Sequence, residues 1–136
     1  MVRTFSDTWD AIEALFQANA ATLGVDVGAI TKGDRETPAR SPFITVYLVP
    51  SGITKAENGT GSHFRATCIV FAGVEPARTL ADSIKSAVEL AGRVLGVLRA
   101  DRTITTFMPD SPIEYDEDSS LFTAVSITFE VPYKLL

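Results

Sequence analysis

"PFITVYLVP", residues 42–50, decides the fold. It is β-branched or aromatic at most positions and closed by a proline at each end, which predicts a strand. Ile44, Val46 and Leu48 fall on one side of that strand, and Phe43, Thr45, Tyr47 and Val49 on the other. Downstream, "SHFRATCIVFA", 62–72, repeats the pattern. The linker between them, "SGITKAENGTG", is too long for a two-residue hairpin turn. The expectation is a long hairpin with a protruding, flexible arm at about 51–62, carrying Thr54, Lys55, Glu57, Asn58 and Thr60.

Ahead of the hairpin, Trp9, Ile12, Leu15, Phe16 and Leu23 recur at three- and four-residue spacing, predicting an amphipathic helix over 6–23. Thr4 followed by Asp7 resembles a capping box, with Ser6 or Asp7 as alternative caps, and Gly24 supplies a left-handed stop. A weak strand at 29–32 and a polar loop, "GDRETPARSP", lead into the hairpin. After it, a second helix is expected over 76–98, with Pro76 in its first turn. Its buried stripe reads as Leu80, Ile84, Val88, Ala91, Leu95 and Leu98. Asp82, Lys85, Glu89 and Arg93 lie opposite, and the steps Lys85–Glu89 and Glu89–Arg93 suit ion pairs. Gly92 and Gly96, beside Ala91, permit close approach to the sheet or to a partner helix.

Two further strands follow. "RTITTFMP", 102–109, precedes an acidic loop, "EYDEDSS", 114–120, and "SSLFTAVSITFEVPYKL" spans 119–135. In the last, Leu121, Val125, Ile127, Phe129, Val131 and Tyr133 share a face. The order helix, weak strand, long hairpin, helix, hairpin predicts one α+β domain over 1–136. Its sheet is mostly antiparallel, with four or five strands and two helices packed on one face, in the order α-(β)-β-β-α-β-β.

Composition limits the function. A chain of 136 residues with 46% hydrophobic content holds a core without a disulfide or metal staple. Its single cysteine, Cys68, excludes an internal disulfide framework and suits a reducing compartment. No segment approaches the roughly 20 apolar residues that span a bilayer, and "MVRTFSDTWD" lacks the pattern of a signal peptide, so no membrane partner is expected. Net charge is −5, and the twelve basic residues form no run, which argues against a face that grips nucleic acid.

The motifs that suggest chemistry do not complete it. "AENGTGSHF", 56–64, has glycines leading into a strand, with no lysine following and no helix to hold a phosphate. Asn58-Gly59-Thr60 spells a glycosylation acceptor in a chain with an unpaired cysteine. His63, the lone histidine, neighbours Ser62, but adjacent strand residues point to opposite faces, so the pair does not form a nucleophile and its base. Cys68, among Ala66, Ile69 and Val70, reads as a small core residue. Glu114, Asp116, Glu117 and Asp118 lack the glycine and the ladder of a calcium loop and read as a solvated channel or contact loop. No catalytic residue, metal or cofactor is expected. The surplus apolar residues Phe43, Tyr47, Phe71 and Phe122 leave a small-ligand pocket or a partner surface open.

The helix leading to "SPFITVYLVPSG", the polar arm, the central "LADSIKSAVELAGRVLGVL" and the closing "FTAVSITFEVPYKL" together resemble the tail terminator, or tail-completion, proteins of long-tailed bacteriophages and related tail-like particles. The resemblance covers nearly the whole chain and lies in length, element order and texture. It implies a virion structural protein and not an enzyme: a homo-oligomeric ring, usually a hexamer, at the head-proximal end of the tail tube. Such a ring stops polymerisation of the tube protein and offers a surface to neck or connector proteins, and genome DNA passes through it without specific binding. A neck protein of the same ring architecture is the alternative within the class.

Overall fold

A computed structural model of the chain describes residues 2–33, 41–55, 63–118 and 122–135, with positions 51–55, 63 and 116–118 described through their backbone. The described residues form an α+β fold of three α-helices, a short 3-10 helix at Val27–Ala29 and one five-stranded mixed sheet. Helix α1, Phe5–Ala18, starts as its sequence dictates: the Thr4 hydroxyl accepts the Asp7 amide at 3.2 Å. It stops earlier than its apolar spacing suggests. Asn19 turns its side-chain amide onto the Leu15 carbonyl at 2.9 Å, and its own N–H returns to Phe16. The chain then restarts as the one-turn α2, Ala20–Leu23, which ends at Gly24 with φ 72°. The expected single helix is therefore two.

Strand β1, Ile30–Lys32, exists as expected and runs parallel to β2, Phe43–Lys55. Strand β2 pairs antiparallel with β3, His63–Val74, and β3 with the last strand, β5, Thr123–Lys134. The remaining strand, β4, covers Ile113–Asp118 and gives the sheet order β1-β2-β3-β5-β4.

This last element corrects the sequence reading. The stretch 102–109 is not a strand and 114–118 is not a loop. After helix α3, Leu80–Ala100, the Asp101 carboxylate accepts the amides of Thr103 and Ile104 and holds the chain in a bend. From 102–109 only Phe107 reaches the sheet, as an isolated bridge to Glu130. Pro109 and Pro112 have no N–H to donate to a ladder. Pairing resumes where Ile113 meets Ile127 and Tyr115 meets Val125.

Helix α3 also differs in its start and in part of its buried stripe. Thr79, not the Pro76 turn, begins it, its hydroxyl accepting the Asp82 amide at 3.1 Å. The buried side carries Ser83, Ala87, Leu90, Ala91, Val94 and Leu98, while Leu80 and Val88 are 50% and 41% exposed. Small residues face the sheet because they let the helix axis come close to it. Of the expected stripe, Ala91, Leu95 and Leu98 are buried and Ile84 is half-buried; Leu80 and Val88 lie outside it, and Ser83, Ala87, Leu90 and Val94 take their place.

The main core lies between the helices and the side of the sheet bearing Ile44, Val46, Leu48, Val70, Ile127 and Phe129, all buried beneath Ile12, Phe16, Leu90 and Val94. The Trp9 indole N–H donates to the Val46 carbonyl at 3.0 Å, tying α1 to β2. No described helix packs on the opposite side, yet Phe43, Phe71 and Phe122 are buried there. Phe43 stands edge-on to Phe122 with centroids 5.5 Å apart, as Tyr47 does to Phe71. No described helix is long and apolar enough to cross a membrane.

Candidate functional site

The hairpin arm is the first candidate. Thr54 and Lys55 close β2, whereas Glu57, Asn58 and Thr60 lie outside the described residues. Pairing moves from Pro50 opposite Ala66 to Lys55 opposite Phe64, so β2 takes five steps where β3 takes two. The surplus residues form an irregularity at the base of the arm. That base is anchored by aromatic rings from three elements. Phe64 of β3 packs on Tyr133 of β5 at 5.8 Å, Tyr133 meets Phe5 of α1 edge-on at 5.1 Å, and Phe5 meets Trp9 at 6.1 Å. The strand ends that flank residues 56–62 are thus held in place.

The second candidate is the acidic stretch. Glu114, Asp116, Glu117 and Asp118 all lie on β4, at the edge of the sheet. Glu114 is opposite Ser126, Glu117 opposite Ala124 and Asp118 opposite Thr123. The register shifts between Tyr115 and Glu117, around Asp116. Glu114 and Tyr115 are exposed. Carboxylates and a bulge on an edge strand hinder pairing with a stray strand. Among the described residues, no three His, Cys, Asp or Glu side chains group as a metal site would require.

The residues considered for chemistry are separated. His63 opens β3 opposite Lys134, and Ser62 lies outside the described residues. Cys68 is fully buried beneath the helices, and desolvation pushes its thiol far above the ordinary thiol range, so no thiolate is available at neutral pH. Lys32 forms an ion pair with Asp10 on the surface; that hydrogen bond holds its ammonium above the usual lysine value.

Among the described residues, open grooves flank the core, two of which bear on the candidate residues. One, about 330 Å3, lies against Thr67, Phe107, Met108, Thr128 and Glu130, beside the Arg65 guanidinium stacked 4.3 Å over the Phe107 ring. The other, about 470 Å3, lies between Leu15, Asn19 and Thr22 and the last turns of α3, at Arg93, Gly96 and Val97. Neither is lined by Phe43, Tyr47, Phe71 or Phe122, the residues that suggested a ligand pocket; these pack ring to ring. Arg93 donates from Nε to the Leu23 carbonyl at 3.0 Å, capping the end of α2. Nothing in the linear sequence announces that contact, because its partner is a backbone carbonyl 70 residues away. No protein-family model and no curated protein matches this chain.

Proposed function

We propose that the chain is a structural protein of a phage-type tail, acting as a terminator ring at the head-proximal end of the tail tube. The observation that carries this reading is the separation of three surfaces on one small subunit. These are a hairpin flanked by an aromatic cluster, an edge strand of acidic sequence, and a sheet side on which no described helix packs, bearing Tyr47, Val49, Thr67 and Thr128. A ring closed head to tail needs two different patches per subunit and no active site. The hairpin supplies one, reaching a neighbour or the tube protein. The acidic strand supplies a surface that repels phosphates, as a channel must if DNA is to slide through it. The protein thus acts by geometry, ending tube polymerisation and presenting a face to the neck.

The test is negative-stain electron microscopy over a concentration series, with and without tube protein, on the full chain and on a variant lacking residues 54–61. Closed rings wide enough for duplex DNA, lost in the deletion while circular dichroism stays unchanged, support the reading. Subunits that stay monomeric on tube ends overturn it. Normal tail joining by the deletion variant removes the arm from the mechanism.

A further inference from the structure

Among the described residues, the outer face of α3 is left open. Lys85, Val88, Glu89, Gly92, Gly96 and Arg99 are exposed along it, directly opposite the buried Ser83, Ala87 and Val94. The ion pairs that four-residue spacing offers Glu89 do not form: Arg93 turns to the Leu23 carbonyl instead. Neither Glu89 nor Arg99 has a salt-bridge partner among the described residues. Between these two charges, a methyl group added to Gly92 or Gly96 would meet nothing within 4 Å. Neither glycine is therefore required by close packing against a described residue, although glycine is the least favourable helix residue after proline.

From this arrangement we infer that α3 is the contact through which two copies of the chain associate, antiparallel and related by a twofold axis between Gly92 and Gly96. The charges select that partner and that direction. At 100° per residue, Glu89 and Arg99 lie to opposite sides of the line through the glycines, and each is five residues from Val94. Turning a second α3 through the twofold brings Glu89 opposite the partner's Arg99, Gly92 opposite the partner's Gly96 and Val88 opposite the partner's Ala100. Symmetry repeats each contact. A parallel partner would set Glu89 against Glu89 and Arg99 against Arg99, which like-charge repulsion opposes. The bare glycines let the two backbones approach closely enough for the flanking charges to meet and for the exposed Val88 to be covered. This contact is isologous, unlike a head-to-tail ring contact, and does not rest on the ring reading.

Sedimentation equilibrium of the full-length chain from micromolar to millimolar concentration tests it, using Glu89→Arg, Arg99→Glu and the double exchange. Each single reversal turns two attractive pairs into two repulsive ones and should weaken self-association about tenfold. The double exchange should restore it to within about threefold of the parent. Gly92→Gln with Gly96→Gln should abolish association while circular dichroism shows the helix intact. A parent chain that stays monomeric to millimolar concentration overturns the inference, and so does an oligomer indifferent to all four changes. If rings form, closed rings that persist in Glu89→Arg while paired species vanish separate this contact from ring closure. Rings lost in the single reversals and restored in the double exchange would place α3 in the ring contact and overturn the isologous assignment.

Discussion

The ring of Phe43 lies across Gly73, its partner in the β2–β3 ladder, where a methyl group on Gly73 would fall inside the envelope of the ring. The absence of a side chain there lets Phe43 lie over β3 and meet Phe122 edge-on. Gly73→Ala should therefore destabilise the fold by about 1–3 kcal/mol through overpacking. The cost should shrink in a Phe43→Leu background, where the obstructing ring is gone. Urea midpoints of the two single variants and the double variant measure that coupling; equal costs in both backgrounds would refute the steric account.

Gly92 and Gly96 predict the opposite sign. Neither has positive φ, and an added Cβ meets no described residue within 4 Å. Gly92→Ala and Gly96→Ala should each stabilise the monomer by about 0.5–1 kcal/mol, since alanine loses less backbone freedom in a helix. Thermal unfolding at low protein concentration reads this without interference from association. A lowered midpoint would mean that the glycines serve the subunit itself.

The cysteine gives a pH prediction. Burial raises the Cys68 thiol above its ordinary value of 9.0, so the unfolded chain ionises first as pH rises. The stability tied to the neutral thiol is complete below that value and falls above it, by about 1.4 kcal/mol per pH unit until the folded thiol ionises. Cys68→Ala should remove this part of the alkaline decline. The native thiol should also resist a disulfide reagent at pH 8 and react once urea exposes it. Rapid labelling of the native chain would contradict its burial.

The features legible in the sequence are those fixed over short range. Thr4 and Asp7 announce a cap, Gly24 a stop, and residues 43–49 a two-sided strand; each is found. What escaped depends on distant partners. Alternation says nothing of direction, so the parallel pairing of β1 with β2 is invisible. The size of Leu80 and Val88 suggests burial, but Ser83 and Ala87 are what fits closely against the sheet. Carboxylates disguised β4 because an edge strand has a free flank and need not be apolar. At the candidate site, residues 51–55, read as the start of an arm, extend β2, and 56–62 lie outside the described residues. The aromatic cluster beside it was not legible, since Phe5, Phe64 and Tyr133 come from the beginning, middle and end of the chain.

Finally, the two roles open to the β4 carboxylates can be separated by experiment, because one depends on charge and the other on its sign. Any charge blunts an edge strand, whereas only negative charge repels DNA. Replacing Glu114, Asp116, Glu117 and Asp118 by threonine should leave a strand-prone, uncharged edge and promote aggregation, read as light scattering on concentration. Replacing Asp116, Glu117 and Asp118 by lysine should keep the subunit dispersed, since the edge remains charged. If these residues line a channel, that lysine variant should still assemble but retain DNA and slow its passage, increasingly so as salt is lowered. Infectivity equal to the parent at every salt concentration would remove the channel role and leave edge protection as the reason for the acidic strand.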